Sequence, residues 1–396
     1  MKLKSLFTFL IVSLFTIPVG VFAHGTEEEH RQEVVANTFL TSGIVISAIL
    51  LAIGVFVLFT VKNRLKTVNV KKQEGRIKRD KLNKWLKISQ WVSLISLLSF
   101  IVTGAFVILN DNTNDDKVEF MHIHGLGITN DGSEVYIPAH DGLKVFKNGM
   151  WGNAEGEKHD YMGFSMVDDG FYSSGHPGEG SSLKNPFGVI KTNDMGKNLK
   201  MLDLYGEIDF HGMAVGYQSH AIYVVNPQGN SRMDDTGLYY STDDTKTWTK
   251  SEMEGLSGQI STIAVHPTNE AIVALGTNEG LFVSQDYGQS FDSISDSPIT
   301  AVSFSLTGEL FAGSVSNEFT LSKFNIETNE ETTLSIPSLS GENAIAYIAV
   351  NPKDEKQVIF TTFEKDIYMT KDLGGSWNQI AEKGEGINLK SDTEEE

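Results

Sequence analysis

Four segments of this chain repeat one pattern, and that repetition limits the fold more than any other feature. The pattern is Ser/Thr-x-Asp-x-Gly-x-Ser/Thr-Trp/Phe. It is complete from Ser284 through Asp286, Gly288 and Ser290 to Phe291, and from Thr370 through Asp372, Gly374 and Ser376 to Trp377. A third copy, Ser241 to Trp248, has Thr245 in the glycine position; a fourth, Thr192 to Leu199, lacks the aromatic residue. An aspartate that accepts backbone N–H groups, followed by a glycine at positive φ, makes a tight turn. The copies begin at 192, 241, 284 and 370, so the gaps are 49, 43 and 86 residues. The last gap is twice the one before it, which places a degenerate copy near Asn325.

Writing the repeats under one another gives six units, beginning near His124, Met162, His211, Ser261, Thr300 and Ala346. The fourth shows the plan: Thr262 to His266, Ala271 to Leu275, Leu281 to Val283 and Phe291 to Ile294 are four short runs rich in β-branched and aromatic residues. Units of ~40–45 residues with four strands each are propeller blades. The expectation is an all-β domain, a six-bladed β-propeller over 118–384 with seven blades as the alternative count, followed by an acidic tail at 385–396.

The first third of the chain is different. Lys2 and Lys4 precede an apolar run that ends at Val21-Phe22-Ala23, which reads as a signal sequence over 1–23. A short segment follows at 24–37. Residues 38–61 and 88–109 are uncharged apolar runs long enough to cross a bilayer as transmembrane α-helices. Between them, 62–87 is rich in Lys and Arg, and the positive-inside rule assigns such a loop to the cytoplasm. A linker at 110–117 then leads to a propeller on the extracytoplasmic side of the cell membrane. The implied partner is the lipid bilayer, through two helices.

Charge divides the same way. Residues 1–110 hold 14 Lys+Arg against 6 Asp+Glu, and the remainder 18 against 45. So acidic a domain repels nucleic acid, which is excluded as a partner. With no cysteine, there is no disulfide framework, thiolate metal site or cysteine nucleophile.

Lettering a blade's strands A to D from the channel outward puts D–A and B–C connections on one face, opposite the repeated turns. His220 and His266 fall on the turn face. His122, His124, His140, His159, His176 and His211 fall on the other, or open an A strand. His124, Met162 and His211 are equivalent positions of the first three units; His122, Asp160 and Asp209 are equivalent two residues earlier. His140 and His176 are equivalent B–C positions. The B–C loops of blades 2 and 3, 175–188 and 226–237, are long, and long loops on a rigid scaffold carry binding.

This convergence points to a transition metal, copper or zinc, with His124, Met162, His211 and His122 as ligands. Imidazole suits both ions and a thioether leans toward copper. His140, His176, Asp160 and Asp209 are the further ligand-binding candidates, with His159 beside them. The competing reading is that the histidines pack around a channel mouth and hold loops or an organic ligand. If the signal sequence is cleaved, His24 offers a second copper chelate, with His30 nearby.

The repeated pattern is that of the Asp-box, or BNR, turn. The chain resembles membrane-anchored bacterial Asp-box propellers labelled sialidase-like or glycosyl hydrolases. That resemblance implies glycosidase chemistry, yet a sialidase grips its substrate carboxylate with three arginines. This propeller has only Arg232, and Tyr136-Ile137-Pro138 is at most a remnant of the arginine-bearing motif. A different glycosidase would need two carboxylates, drawn from Asp141, Asp160, Glu179, Asp209 and Asp234, with Tyr161 near. The chain also looks like Asp-box propellers that assist assembly of membrane complexes, which implies a membrane protein partner.

Overall fold

The structure is a computed structural model, and it describes residues 27–111, 118–316, 318–339 and 343–389. The expected signal sequence, His24 and the acidic residues from 390 onward lie outside these. The chain forms two compact units, Met1–Asp115 and Asp116–Glu396.

The first unit is a pair of long helices, α1 (Glu27–Lys66) and α2 (Gln73–Asp111). Both are long and apolar enough to cross a membrane. Their outer surfaces are apolar: Val45, Ile49, Phe56, Phe59, Trp91 and Leu98 are exposed, while Ser47, Ser89 and Ser96 are buried. The Ser47 and Ser99 hydroxyls meet at 3.0 Å. A Cβ on Gly54 would stand 2.3 Å from Ser93 Oγ, so the backbones approach where the residue is smallest. Small residues inside and large apolar ones outside is the arrangement of helices packed in lipid. The basic stretch expected as a loop over 62–87 is mostly helical, because its Lys, Arg, Glu and Leu are good helix formers. Only 67–72 breaks the two helices.

The second unit is a six-bladed β-propeller: six antiparallel sheets, five of four strands and one of five. Blade 1 holds β1 (Gly127–Ile128), β2 (Glu134–Ala139), β3 (Gly142–Lys147) and β4 (Met150–Asn153). Blade 2 holds β5 (Asp160–Val167), β6 (Gly170–His176), β7 (Val189–Thr192) and β8 (Lys200–Asp203). Blade 3 holds β9 (Met213–Val215), β10 (Ile222–Asn226), β11 (Gly237–Ser241) and β12 (Thr249–Lys250). The remaining blades follow at 260–295, 299–334 and 345–386. The hydrophobic core is not one mass. It consists of six clusters, each shared by two neighbouring blades.

The four repeated turns share one hydrogen-bond set. Ser284 Oγ donates to Asp286 Oδ1 at 2.8 Å, Gly288 N to Ser284 Oγ at 2.8 Å and Ser290 N to Asp286 Oδ1 at 2.9 Å. The same contacts recur around Asp194, Asp243 and Asp372. Gly288 and Gly374 take φ of 79° and 93°, and Thr245 is held at 66° where glycine is missing. The terminal aromatic staples one blade to the one before: Trp248 Nε1 donates to Asp203 Oδ2 at 3.0 Å and Trp377 Nε1 to Ser335 O at 2.8 Å. Near the degenerate copy, Asn325 Oδ1 accepts the Glu327 and Thr328 N–H groups at 3.0 and 2.9 Å.

The ring closes between the two ends of the propeller. Glu119 bridges Glu385, Phe120 N donates to Gly384 O at 2.7 Å, and Gly386 N to Val118 O at 2.8 Å. Leu389 N donates to Gly149 O at 2.8 Å, and Trp151 N to Asn388 Oδ1 at 2.7 Å. The acidic tail expected from 385 therefore begins later. Glu385–Gly386 is the fifth strand of the last blade, paired with Ala381 and Glu382 and bridged to Glu119 more than two hundred residues upstream. Ending the chain at Gly384 removes three such hydrogen bonds, those of Gly386, Asn388 and Leu389, at about 1 kcal/mol each. Thermal unfolding of that truncation should show a loss of several degrees; an unchanged midpoint would restore the boundary at 384.

Candidate functional site

Strand alternation builds the first half of the site. Ile123 packs against the closure core and bridges Ala139, while His124 N donates to Pro138 O at 3.0 Å. With Ile123 turned to the core, His122 and His124 take the opposite side. Their rings lie nearly parallel, 6.1 Å apart, and His140, from the β2–β3 turn, stands edge-on to His122 at 6.2 Å. Asp160, the buried first residue of β5, takes the His140 Nδ1 contact at 3.0 Å.

Asp209 organises the second half. It sits between buried Ile208 and Phe210, and Phe210 N donates to the buried Ser174 hydroxyl at 2.9 Å. His211 Nε2 lies 2.8 Å and His176 Nε2 3.1 Å from Asp209 Oδ2. His176 closes β6 in register with Asp160. The two halves are one electrostatic unit: the Asp160 charge acts on His176 and His211, and the His211 charge acts on His124.

These neighbours give the histidines opposite protonation. Burial lowers His124 to about 4, although Asp160 pulls the other way. Its Nε2 is 3.5 Å from Asp160 Oδ1 but not aligned for a hydrogen bond, and it has no hydrogen-bond partner among the described residues. The hydrogen bond to Asp209 raises His176 to about 9. Its other nitrogen, Nδ1, reaches Asn185 Oδ1 at 2.6 Å. With an acceptor at each nitrogen, His176 is an imidazolium. The Asp209 bond also raises His211. Burial alone would raise the Asp209 carboxyl, yet the hydrogen bonds from His176 and His211 outweigh it and hold the group well below the usual carboxylate range.

In overall shape the propeller is similar to a GH74 enzyme of Niastella koreensis, with a TM-score of 0.44 and 14% identity over 66% of this chain and 46% of that one. It is similar to YCF48 bound to D1 peptide, at 0.40 and 12% over 66% and 84%. An ancestral GH74 enzyme gives 0.42 and 11% over 66% and 39%. This chain thus spans less than half the length of the GH74 enzymes. These likenesses concern the fold alone. No family model matches the sequence, and no curated protein matches it.

Other candidates go elsewhere. His159 is buried with its edge against Phe187, and its Nδ1 accepts Gly178 N at 3.0 Å, so it pins the long blade 2 loop. Met162 is buried two residues after Asp160 on β5. Asp141 is paired with Lys144 at 2.6 Å, and Glu179 and Asp234 are exposed. Arg232 pairs with Asp203 at 3.2 Å and donates to Lys246 O, which ties it to the blade 2–3 junction. Two features went unseen in the sequence. Asn185 adds a second acceptor to the His176 ring that Asp209 already holds, and only its place in a long loop hinted at it. On the turn face, ligand atoms of Asp168, Asp169 and His220 lie within 4.8 Å of one another. That group is already neutralised in part, because Lys191 Nζ lies 2.9 Å from Asp169.

Histidine-selective NMR on the labelled chain should find one imidazole titrating near about 9 and another near about 4. His176→Gln should remove the first and His124→Gln the second. The sign for stability follows. The His176 pairing stabilises fully below 6.5 and is lost as pH rises through about 9. His124 stays neutral when folded, so stability falls as pH drops from 6.5 toward about 4. Titration of every histidine near its ordinary value would contradict this arrangement.

Proposed function

We propose that this protein is a membrane-anchored propeller that binds a transition-metal ion on the face carrying the histidines. The observation that carries the reading is His124. The His124 side chain is 20% exposed but its Nε2 is buried, and a buried nitrogen left without a hydrogen-bond partner costs about 1–3 kcal/mol. A metal ion accepted by that nitrogen recovers the cost. His122 and His140 stand beside it, and Asp160 takes the Nδ1 of His140, the usual way a carboxylate orients a ligating ring. His211 is the rim ligand and must lose its proton when the ion enters. His176 is not a ligand: it is the cation that balances Asp209.

Imidazole donors suit copper and zinc, and the thioether of Met162 two residues from Asp160 puts copper first. The helix pair, with its apolar outside and small-residue seam, supports the anchor. The basic residues of 62–87 put the turn between the helices in the cytoplasm and the propeller outside. A glycosidase using Asp209 is disfavoured, because a general acid needs a raised affinity for its proton and Asp209 has a lowered one.

The test is metal content. The full chain, purified in detergent, is loaded with Cu²⁺ or Zn²⁺, freed of excess and analysed for bound metal. One ion per chain is expected, lost in His124→Ala combined with His140→Ala. A folded chain that retains no metal would remove this reading and leave an organic ligand or a protein partner for the same face.

A further inference from the structure

A second, smaller site lies between blades 1 and 2, and it does not depend on the metal reading. It is a partly open cavity of about 40 Å³ lined by Asp141, Asn153, Glu157, Tyr161 and Gly196, among others. By volume it holds two or three water-sized groups. Two of its polar atoms are buried without a hydrogen-bond partner among the described residues: the Tyr161 hydroxyl and Asp141 Oδ1. Tyr161 is 1% exposed. A Cβ built on Gly196 would come 3.0 Å from the Tyr161 hydroxyl, so the space beside that oxygen exists only because residue 196 is glycine.

Asp141 and Asn153, which also line the cavity, are held from behind by a lysine. Lys144 is buried, and its ammonium is fixed by Asp141 Oδ2 at 2.6 Å and Asn153 Oδ1 at 2.8 Å. This contact uses one carboxylate oxygen of Asp141 and leaves the other, Oδ1, without a hydrogen-bond partner among the described residues. Burial pushes the Tyr161 phenol up, so it keeps its proton and offers a donor. Asp141 offers an acceptor. An occupant must therefore accept from a phenol and donate to a carboxylate. A carboxylate cannot donate, and a carboxylate or a phosphate would bring its negative charge against Asp141, Glu155 and Glu157. An ammonium group cannot accept from Tyr161. A hydroxyl does both.

We propose that this cavity takes the hydroxymethyl arm of a neutral sugar or polyol, with the hydroxyl bound between Tyr161 and Asp141. The rest of the ligand lies in the open mouth beside Glu155, Glu157 and Lys158. One arm fits the volume and a whole pyranose ring does not.

The experiment uses the full chain in a detergent without a sugar headgroup, and calorimetric titration with methyl β-D-glucopyranoside and its 6-deoxy analogue. Saturable binding of the first, weakened about tenfold or more by loss of O6 and by Tyr161→Phe, is the expected result; one hydrogen bond of about 1.4 kcal/mol corresponds to that factor. Tyr161→Phe removes one oxygen from a packed site that has no partner for it, so the ligand-free variant should melt no lower than the parent. Absence of saturable pyranoside binding overturns the proposal, as does binding that Tyr161→Phe leaves unchanged. A lowered melting point for the ligand-free variant also overturns it, because the hydroxyl would then be satisfied by structural water alone.

Discussion

The propeller depends on the seam that joins its two ends. Each blade's core is half made by its neighbour, so an unclosed ring would leave the first and last blades with one apolar face in water. The seam between 118–120 and 384–389 prevents this. Phe120 and Trp151 pack edge to face at 4.9 Å, and the Trp151 indole donates to Ile380 O across the junction. The seam also places the site. His122 and His124 lie two and four residues after Phe120, so the extended segment that locks the ring also carries both imidazoles. A change that loosens closure should disturb the histidines before it reaches the distant blades.

The two faces do different work. On one, the aspartate turns satisfy their own backbone groups, and their aromatic residues tie blade to blade. This is a regular, self-sufficient construction, and Thr245 shows how far it tolerates substitution: the turn keeps its hydrogen bonds even with a β-branched residue at a φ of 66°, a conformation that costs such a residue on the order of 1–2 kcal/mol. On the other face the connections are unequal in length and carry buried charge. Stability held in the turns and the inter-blade cores lets that face retain polar groups that do not pay for themselves in folding.

Much of this was legible in sequence. The period gave six blades, and the fourth unit's strands fall within one or two residues of their expected limits, because alternation and turn chemistry are local. Connection topology sorted the histidines by face for the same reason. What sequence could not supply was which imidazole meets which carboxylate. His159 and Asp160 are adjacent, yet one is buried against Phe187 and the other reaches His140 in the next blade. Strand alternation predicts that they diverge, but not where each arrives. Asn185 and the 384–389 seam were missed because their partners come from another segment, and no local pattern marks them. The basic stretch of 62–87 differs again: its charge is silent about helix, although its composition favours one.

The histidine face and the cavity between blades 1 and 2 obey one rule. Burial is uniform in direction but not in consequence, because the outcome depends on which partner a buried group can reach. His124 has its Nε2 buried beside a carboxylate that does not align with it, and so remains neutral. His176 reaches Asp209 and Asn185 together, and so remains charged. Tyr161 reaches nothing and holds its proton. Each of these groups is specific about what it lacks: a neutral nitrogen lacks an electron-pair acceptor or donor partner, and a phenol lacks an acceptor. An acidic surface that repels anions, an imidazole cluster with its carboxylates and a phenol that shares a cavity with a carboxylate are what the two proposed ligands, a cation at one point and a neutral hydroxyl compound at the other, would each answer. The two demands concern different atoms on adjoining blades, so either site could be filled while the other stayed empty.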